Sequence, residues 1–207
     1  MFDARIRPVI DPVLNRLGAL LAATGIGANG VTLIGFALGI GAAIAIATGH
    51  FLLGFVLIAL NRIADGLDGA IARVTRKTDL GGYLDISLDF FFYGAIPLAF
   101  AIQDPGNNAL PAAALLCSFY ANGSAFLAFA IMAERRGLTT DHQGSKSLYY
   151  LGGLAEGTET IVLFLLMALL PGWFPVLAWG FAAVCFVSAS ARVLIGVKSL
   201  GQKDHDG

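Results

Sequence analysis

Cysteine is scarce, with Cys117 and Cys185 the only two in 207 residues. Both lie inside apolar runs and lack metal-ligand spacing. That excludes a disulfide framework, and each is expected to be a buried small hydrophobe. Charge is sparse as well. Charged residues make up 13% of the chain and hydrophobic ones 57%, whereas soluble domains run at about 25% and about 45–50%. A lipid solvent fits this balance and a water-soluble globule does not. The thirteen Lys and Arg residues are dispersed in small groups, which excludes a nucleic-acid footprint. His50, His142 and His205 stand alone in predicted loops and are expected to be inert. No internal repeat is visible. The first residues place Arg5, Arg7, Pro8 and Pro12 ahead of any apolar run, a pattern unlike a cleavable signal peptide.

What the chain does have is long apolar runs. A spanning helix takes roughly 20 apolar residues, and candidate spans lie near 30–48, 51–72, 82–102, 109–133, 148–170 and 173–195. Gly49-His50, the stretch from Asp104 to Asn108, and Pro171-Gly172 break them apart. The expected fold is all-α: one membrane domain over 1–207, with six transmembrane helices and a juxtamembrane segment over 1–28. Lys and Arg fall at the chain ends and in the second and fourth connections, and the short intervening loops have none. Both termini are therefore expected to face the cytoplasm. Before the first span, Val13, Leu14, Leu17, Leu20 and Leu21 recur at helical spacing. With Asp11 as N-cap and Pro12 in the first turn, they predict an amphipathic helix lying in the interface.

The second and third spans carry residues a bilayer penalises. One reads Asp65-Gly66-Leu67-Asp68-Gly69-Ala70-Ile71-Ala72-Arg73, the other Gly81-Gly82-Tyr83-Leu84-Asp85-Ile86-Ser87-Leu88-Asp89. A central intramembrane acid costs about 2.5–3.5 kcal/mol on insertion scales, so these side chains are expected to face a polar cavity, a counter-ion or a metal. Asp65 and Asp68 are i,i+3 and Asp85 and Asp89 i,i+4, so each pair shares one helical face. Antiparallel neighbours joined by a short loop bring both faces together. Convergent carboxylates repel one another, and hard divalent cations with oxygen ligands relieve that repulsion. Two such ions suit phosphoryl-type chemistry. Gly66 is read equally as a packing or a ligand-approach residue, and Gly69 and Gly81 as sites of ligand approach.

Asp65-x2-Asp68-Gly69-x2-Ala72-Arg73 followed by Gly81-x3-Asp85-x3-Asp89 resembles the signature of the CDP-alcohol phosphatidyltransferase family, particularly its uncharacterised bacterial inner-membrane members. The likeness extends over the whole chain. It departs in three places: seven residues (Val74 to Leu80) where the family has eight, Ala28-Asn29-Gly30-Val31-Thr32 without the family's proline, and Phe90 where a basic residue often stands. The resemblance implies transfer of a phosphatidyl group from a CDP-alcohol such as CDP-diacylglycerol to an acceptor hydroxyl, with release of CMP. It implies that Asp65, Asp68, Asp85 and Asp89 hold Mg2+ or Mn2+, two ions, and that Asp89 is the general base. It places the CDP-alcohol against Asn29, Thr32, Asp68, Gly69, Ala72, Arg73 and Gly81. It implies a homodimer in the bacterial inner membrane, with the active site on the cytoplasmic side.

The acceptor pocket is harder to read. Lys146 and Arg192 are candidate cations for it. Glu156 and Glu159, i,i+3 in the fifth span, are candidate acceptor ligands because intramembrane acids mark functional sites. The competing expectation pairs these acids with Arg62 or Lys146 to hold the bundle together. At the level of the whole protein, a cation-coupled transporter and a catalytically silent member of the same fold are the alternatives. The missing repeat argues against the transporter.

Overall fold

The computed structural model describes residues 3–136 and 157–201, and every regular element among them is helical. Helix α1 is Asp3–Ala23, α2 Ala28–Ala47, α3 Phe51–Val74, α4 Asp79–Gln103 and α5 Pro105–Arg135. Then come α6, Gly157–Leu169, a 3-10 turn at Pro171–Trp173, and α7, Phe174–Gly201. Four described stretches are long and apolar enough to cross a membrane: α2, α4, α5 and Pro171–Gly201. At 24 residues α3 is long enough, but Arg62, Asp65, Asp68 and Arg73 take it out of that class. Of the expected fifth span only residues 157–170 lie within the described residues.

Helix ends follow local chemistry. Gly49, at φ +82°, makes the tight turn between α2 and α3. Thr78 caps α4, its Oγ1 accepting the Gly81 N–H at 3.0 Å. Asp104 ends α4 and caps α5, accepting from the Asn107 backbone at 3.3 Å and its side chain at 2.8 Å. Those two bonds hold the Asp104 carboxyl below the usual carboxylate range.

Small residues bring α2 close to both α3 and α4. A Cβ on Gly35 would stand 3.0 Å from that of Ala64, and one on Gly39 would stand 2.7 Å from the Phe92 ring. This Gly35-x3-Gly39 stripe is the small-residue device of membrane helix pairs. Asn61 ties α3 to α2, its Nδ2 donating to the Gly35 carbonyl at 2.8 Å. The main core lies further along the bundle, where α2 to α7 meet around Ile46, Ile58, Phe92, Phe100, Phe164 and Phe174. Phe100 and Phe174 stack there at 4.4 Å.

Helix α1 differs from expectation in two ways. It begins at Asp3, so Asp11 and Pro12 lie inside it rather than at its start. Pro8 and Pro12 are one turn apart, so the two lost N–H donors fall on one side and the opposite ladder stays intact. Its apolar residues also divide between two surroundings. Leu14 and Gly18 pack on α3, with Leu21 joining the small cluster of Val31, Ala64 and Ile71. Val13, Leu17 and Leu20 remain exposed. Gly18 sets the crossing, since a Cβ there would be 2.7 Å from that of Ala70. The cysteines also diverge. Cys185 is buried as expected, whereas Cys117 is exposed, because its position on α5 faces outward from the core, where a lipid-facing thiol is tolerated.

Candidate functional site

The facing sides of α2, α3 and α4 enclose two adjoining cavities near the 75–78 connection. The smaller, of about 20 Å³, is lined by all four aspartates, with Thr32, Asn61 and Arg62 among the other walls. The larger, of about 350 Å³, is lined by Asn29, Thr32, Asp68, Gly69, Ala72, Arg73 and Gly81, and also by Arg76, Lys77 and Thr78. Thr32, Asp68 and Asp85 belong to both.

Each carboxylate has a distinct setting. Asp68 is buried and accepts from Thr32 Oγ1 at 2.6 Å. Asp89 accepts from Arg62 Nη2 at 2.8 Å through Oδ1 and from the Tyr93 hydroxyl at 3.3 Å through Oδ2. Arg62 Nη1 reaches Asp65 Oδ2 at 3.5 Å. Arg62 thus engages the aspartate cluster. Asp85 is exposed at the wall the two cavities share.

The donor set suits a hard divalent cation: four carboxylates on one cavity, with one guanidinium as internal counter-charge. Among the described residues, no three His, Cys, Asp or Glu side chains form a ready-made ion cage. The hydrogen bonds explain this, because Asp65 and Asp89 turn toward Arg62 and Asp68 toward Thr32. The larger cavity carries a different chemistry. Arg73, Arg76 and Lys77 give it a cationic edge suited to a diphosphate, while Gly69 and Gly81 line it without side chains.

Comparison with known proteins settles the family. Residues 26–190 match the CDP-alcohol phosphatidyltransferase family. The chain belongs to it. It is 46% identical over 200 residues to the inner membrane protein YnjF of Escherichia coli, covering 97% of each chain. Its fold resembles the phosphatidylinositol phosphate synthase of Mycobacterium tuberculosis solved with manganese and citrate. That match has TM-score 0.71 and 19% identity over 88% of each chain. The same enzyme with CDP-DAG bound matches at TM-score 0.62 and 21% identity over 92% of each chain.

Within this phosphatidyltransferase bundle, every residue expected to contact the CDP-alcohol lines the larger cavity. Arg76, Lys77 and Thr78 join them, although Arg76 and Lys77 read in the sequence as topology anchors alone. Gly66 packs against Leu14, to which a Cβ would approach within 2.8 Å, so packing decides its role. The acceptor candidates are only partly described. Lys146 and Glu156 lie outside the described residues. Glu159 and Arg192 line neither cavity, and Arg192 lies over the Phe126 ring at 5.1 Å. Phe90 leans on Gly123 of α5. Arg62, missed in the sequence as a site residue, supplies the cluster's cation.

Proposed function

We propose that this chain catalyses metal-dependent transfer of a phosphatidyl group from a CDP-alcohol, such as CDP-diacylglycerol, to an acceptor hydroxyl in phospholipid biosynthesis. The observation that carries the reading is the wall of Thr32, Asp68 and Asp85, which joins the carboxylate-lined cavity to the larger cationic one. Diphosphate and carboxylates then meet at one boundary, as the transfer requires.

Asn29, Arg73 and Thr32 bind the diphosphate, and Gly69, Ala72 and Gly81 leave room for the nucleotide. Asp65, Asp68, Asp85 and Asp89 would hold Mg2+ or Mn2+, as two ions. Bound there, such ions supply Lewis-acid neutralisation of the charge on the transferring group and on CMP. Asp89 accepts the proton of the acceptor hydroxyl. The hydroxyl oxygen bonds to the β-phosphorus, and the bond from that phosphorus to the CMP oxygen breaks with its electron pair leaving on CMP. Lipid tails leave sideways between helices, which accounts for an all-membrane architecture.

The same reading includes six spans, cytoplasmic termini, a cytoplasmic site in the bacterial inner membrane, and a homodimer. Glu156 and Glu159, with Lys146 and Arg192, form the acceptor side. Carboxylates there favour a polyhydroxylated or cationic acceptor through charge-assisted hydrogen bonds. Purified protein in nanodiscs, given CDP-diacylglycerol, Mn2+ and a panel of alcohols, should yield a new lipid by mass spectrometry together with CMP. Absence of both with every acceptor and metal would reject the reading.

A further inference from the structure

Arg62 sits inside the aspartate cluster rather than at its rim, and several contacts fix it there. Its Nε donates to Asn61 Oδ1 at 3.0 Å, and the amide of Asn61 is in turn tied to Gly35 of α2. Its guanidinium carbon lies 5.4 Å from the centroid of the buried Phe92 ring. Its two terminal nitrogens then divide between Asp89 and Asp65. A guanidinium held from behind by an amide and a ring is a rigid fork, not a side chain sweeping solvent. On the far side, Tyr93 holds the second oxygen of Asp89, and its hydroxyl lies 3.4 Å from where a Cβ on Gly157 of α6 would stand. Asp89 is thus clamped through both oxygens by groups from its own helix and from α3.

We propose that Arg62 is a positioning residue: it fixes Asp89 and Asp65 in orientation and serves as a resident cation that moderates divalent-ion binding by the cluster, with Tyr93 completing the hold on Asp89. This rests on the phosphatidyltransferase reading above, in which Asp89 takes the acceptor proton. Two effects of losing Arg62 then run in opposite directions. Removing a positive charge beside Asp65 strengthens attraction of the cluster for a cation. Releasing Asp89 from its clamp loosens the geometry of proton acceptance, and small misplacements of reacting groups are costly. A purely structural arginine would lower both together.

The test uses the full chain in nanodiscs, with Mn2+ binding followed by loss of the free-ion EPR signal and turnover by CMP release. Arg62→Gln should bind Mn2+ at least about fivefold more tightly while kcat falls about 100-fold, with KM for CDP-diacylglycerol little changed. Arg62→Lys should restore wild-type Mn2+ affinity but only part of kcat, because an ammonium cannot fork between two carboxylates. Tyr93→Phe leaves the charge in place and guards against an Arg62 variant that does not fold. It should lower kcat about tenfold with unchanged Mn2+ affinity. Unchanged kcat in Tyr93→Phe, or weaker Mn2+ binding in folded Arg62→Gln, would overturn the proposal. A wild-type chain that neither binds Mn2+ nor releases CMP would instead overturn the phosphatidyltransferase reading itself.

Discussion

Thr32 on α2 donates its hydroxyl hydrogen to Asp68 on α3 at 2.6 Å, across the wall that joins the two cavities. The same oxygen also lies 3.1 Å from the Ala28 carbonyl one turn back, which fixes its rotamer. Thr32→Val keeps the shape and removes the bond. This bond goes to a charged group and is worth about 1.5–3 kcal/mol, so the variant should fold with a lowered Tm. Steady-state kinetics should show KM for CDP-diacylglycerol raised about tenfold, as expected when Asp68 is no longer held at the wall between the cavities.

Arg73 leans on α1. Both Nε and Nη2 donate to Asn15 Oδ1, at 3.2 and 3.0 Å, so on the proposed reading α1 aims the side chain that binds the diphosphate. Asn15→Ala should raise KM for the CDP-alcohol about threefold to tenfold, as expected from loss of about 1 kcal/mol of orientation, and leave kcat nearly unchanged. Arg73→Ala should raise it further. Equal KM values for wild type and Asn15→Ala would show that α1 does not aim Arg73.

The crossing of α1 over α3 leaves no room at Gly18, where a Cβ would meet Ala70 Cβ at 2.7 Å and the Ala70 backbone at 3.0 Å. Backbone cannot yield as a side-chain tip can. Gly18→Val should cost about 1–3 kcal/mol by overpacking, read as lower Tm in detergent. Gly66→Ala should be milder, because the atom it meets is the flexible end of Leu14.

Orientation is testable by labelling. With Cys117, exposed on α5, and buried Cys185 first replaced by alanine, single cysteines at Gly49, Asn107 and Gly172 should react with impermeant maleimide on intact cells. A cysteine at Thr78 should react only after permeabilisation. The reverse pattern would place the site on the face away from cytoplasmic nucleotide.

The site was far more legible than the packing around it. Asp65, Asp68, Asp85 and Asp89 announce themselves by cost and spacing: acids in apolar helices at i,i+3 and i,i+4 must converge on something polar. The residues expected to contact the CDP-alcohol came from the motif, and all of them line one cavity. Arg62 did not follow, because an arginine in a span has several acids within reach in sequence, and only the crossing of α3 and α4 selects Asp89. The apolar stripe of α1 was visible, but lipid and protein reward the same side chains. Periodicity alone therefore could not separate Leu14 and Leu21, which pack inward, from Leu17 and Leu20, which do not. The Gly35-x3-Gly39 stripe stands in the sequence as a close-approach signal, but small residues are common throughout these apolar spans and do not say which neighbour they meet.

The most direct test is CMP release from CDP-diacylglycerol by purified protein carrying Asp65→Asn, Asp68→Asn, Asp85→Asn or Asp89→Asn, each beside wild type with and without chelator. Each substitution keeps side-chain volume and removes one charge. The account predicts that wild type releases CMP only with a divalent cation present. It also predicts that every variant falls at least about 100-fold while retaining a wild-type-like gel-filtration profile. Near-normal turnover in any two of the four variants, or full wild-type activity in chelator, would contradict it.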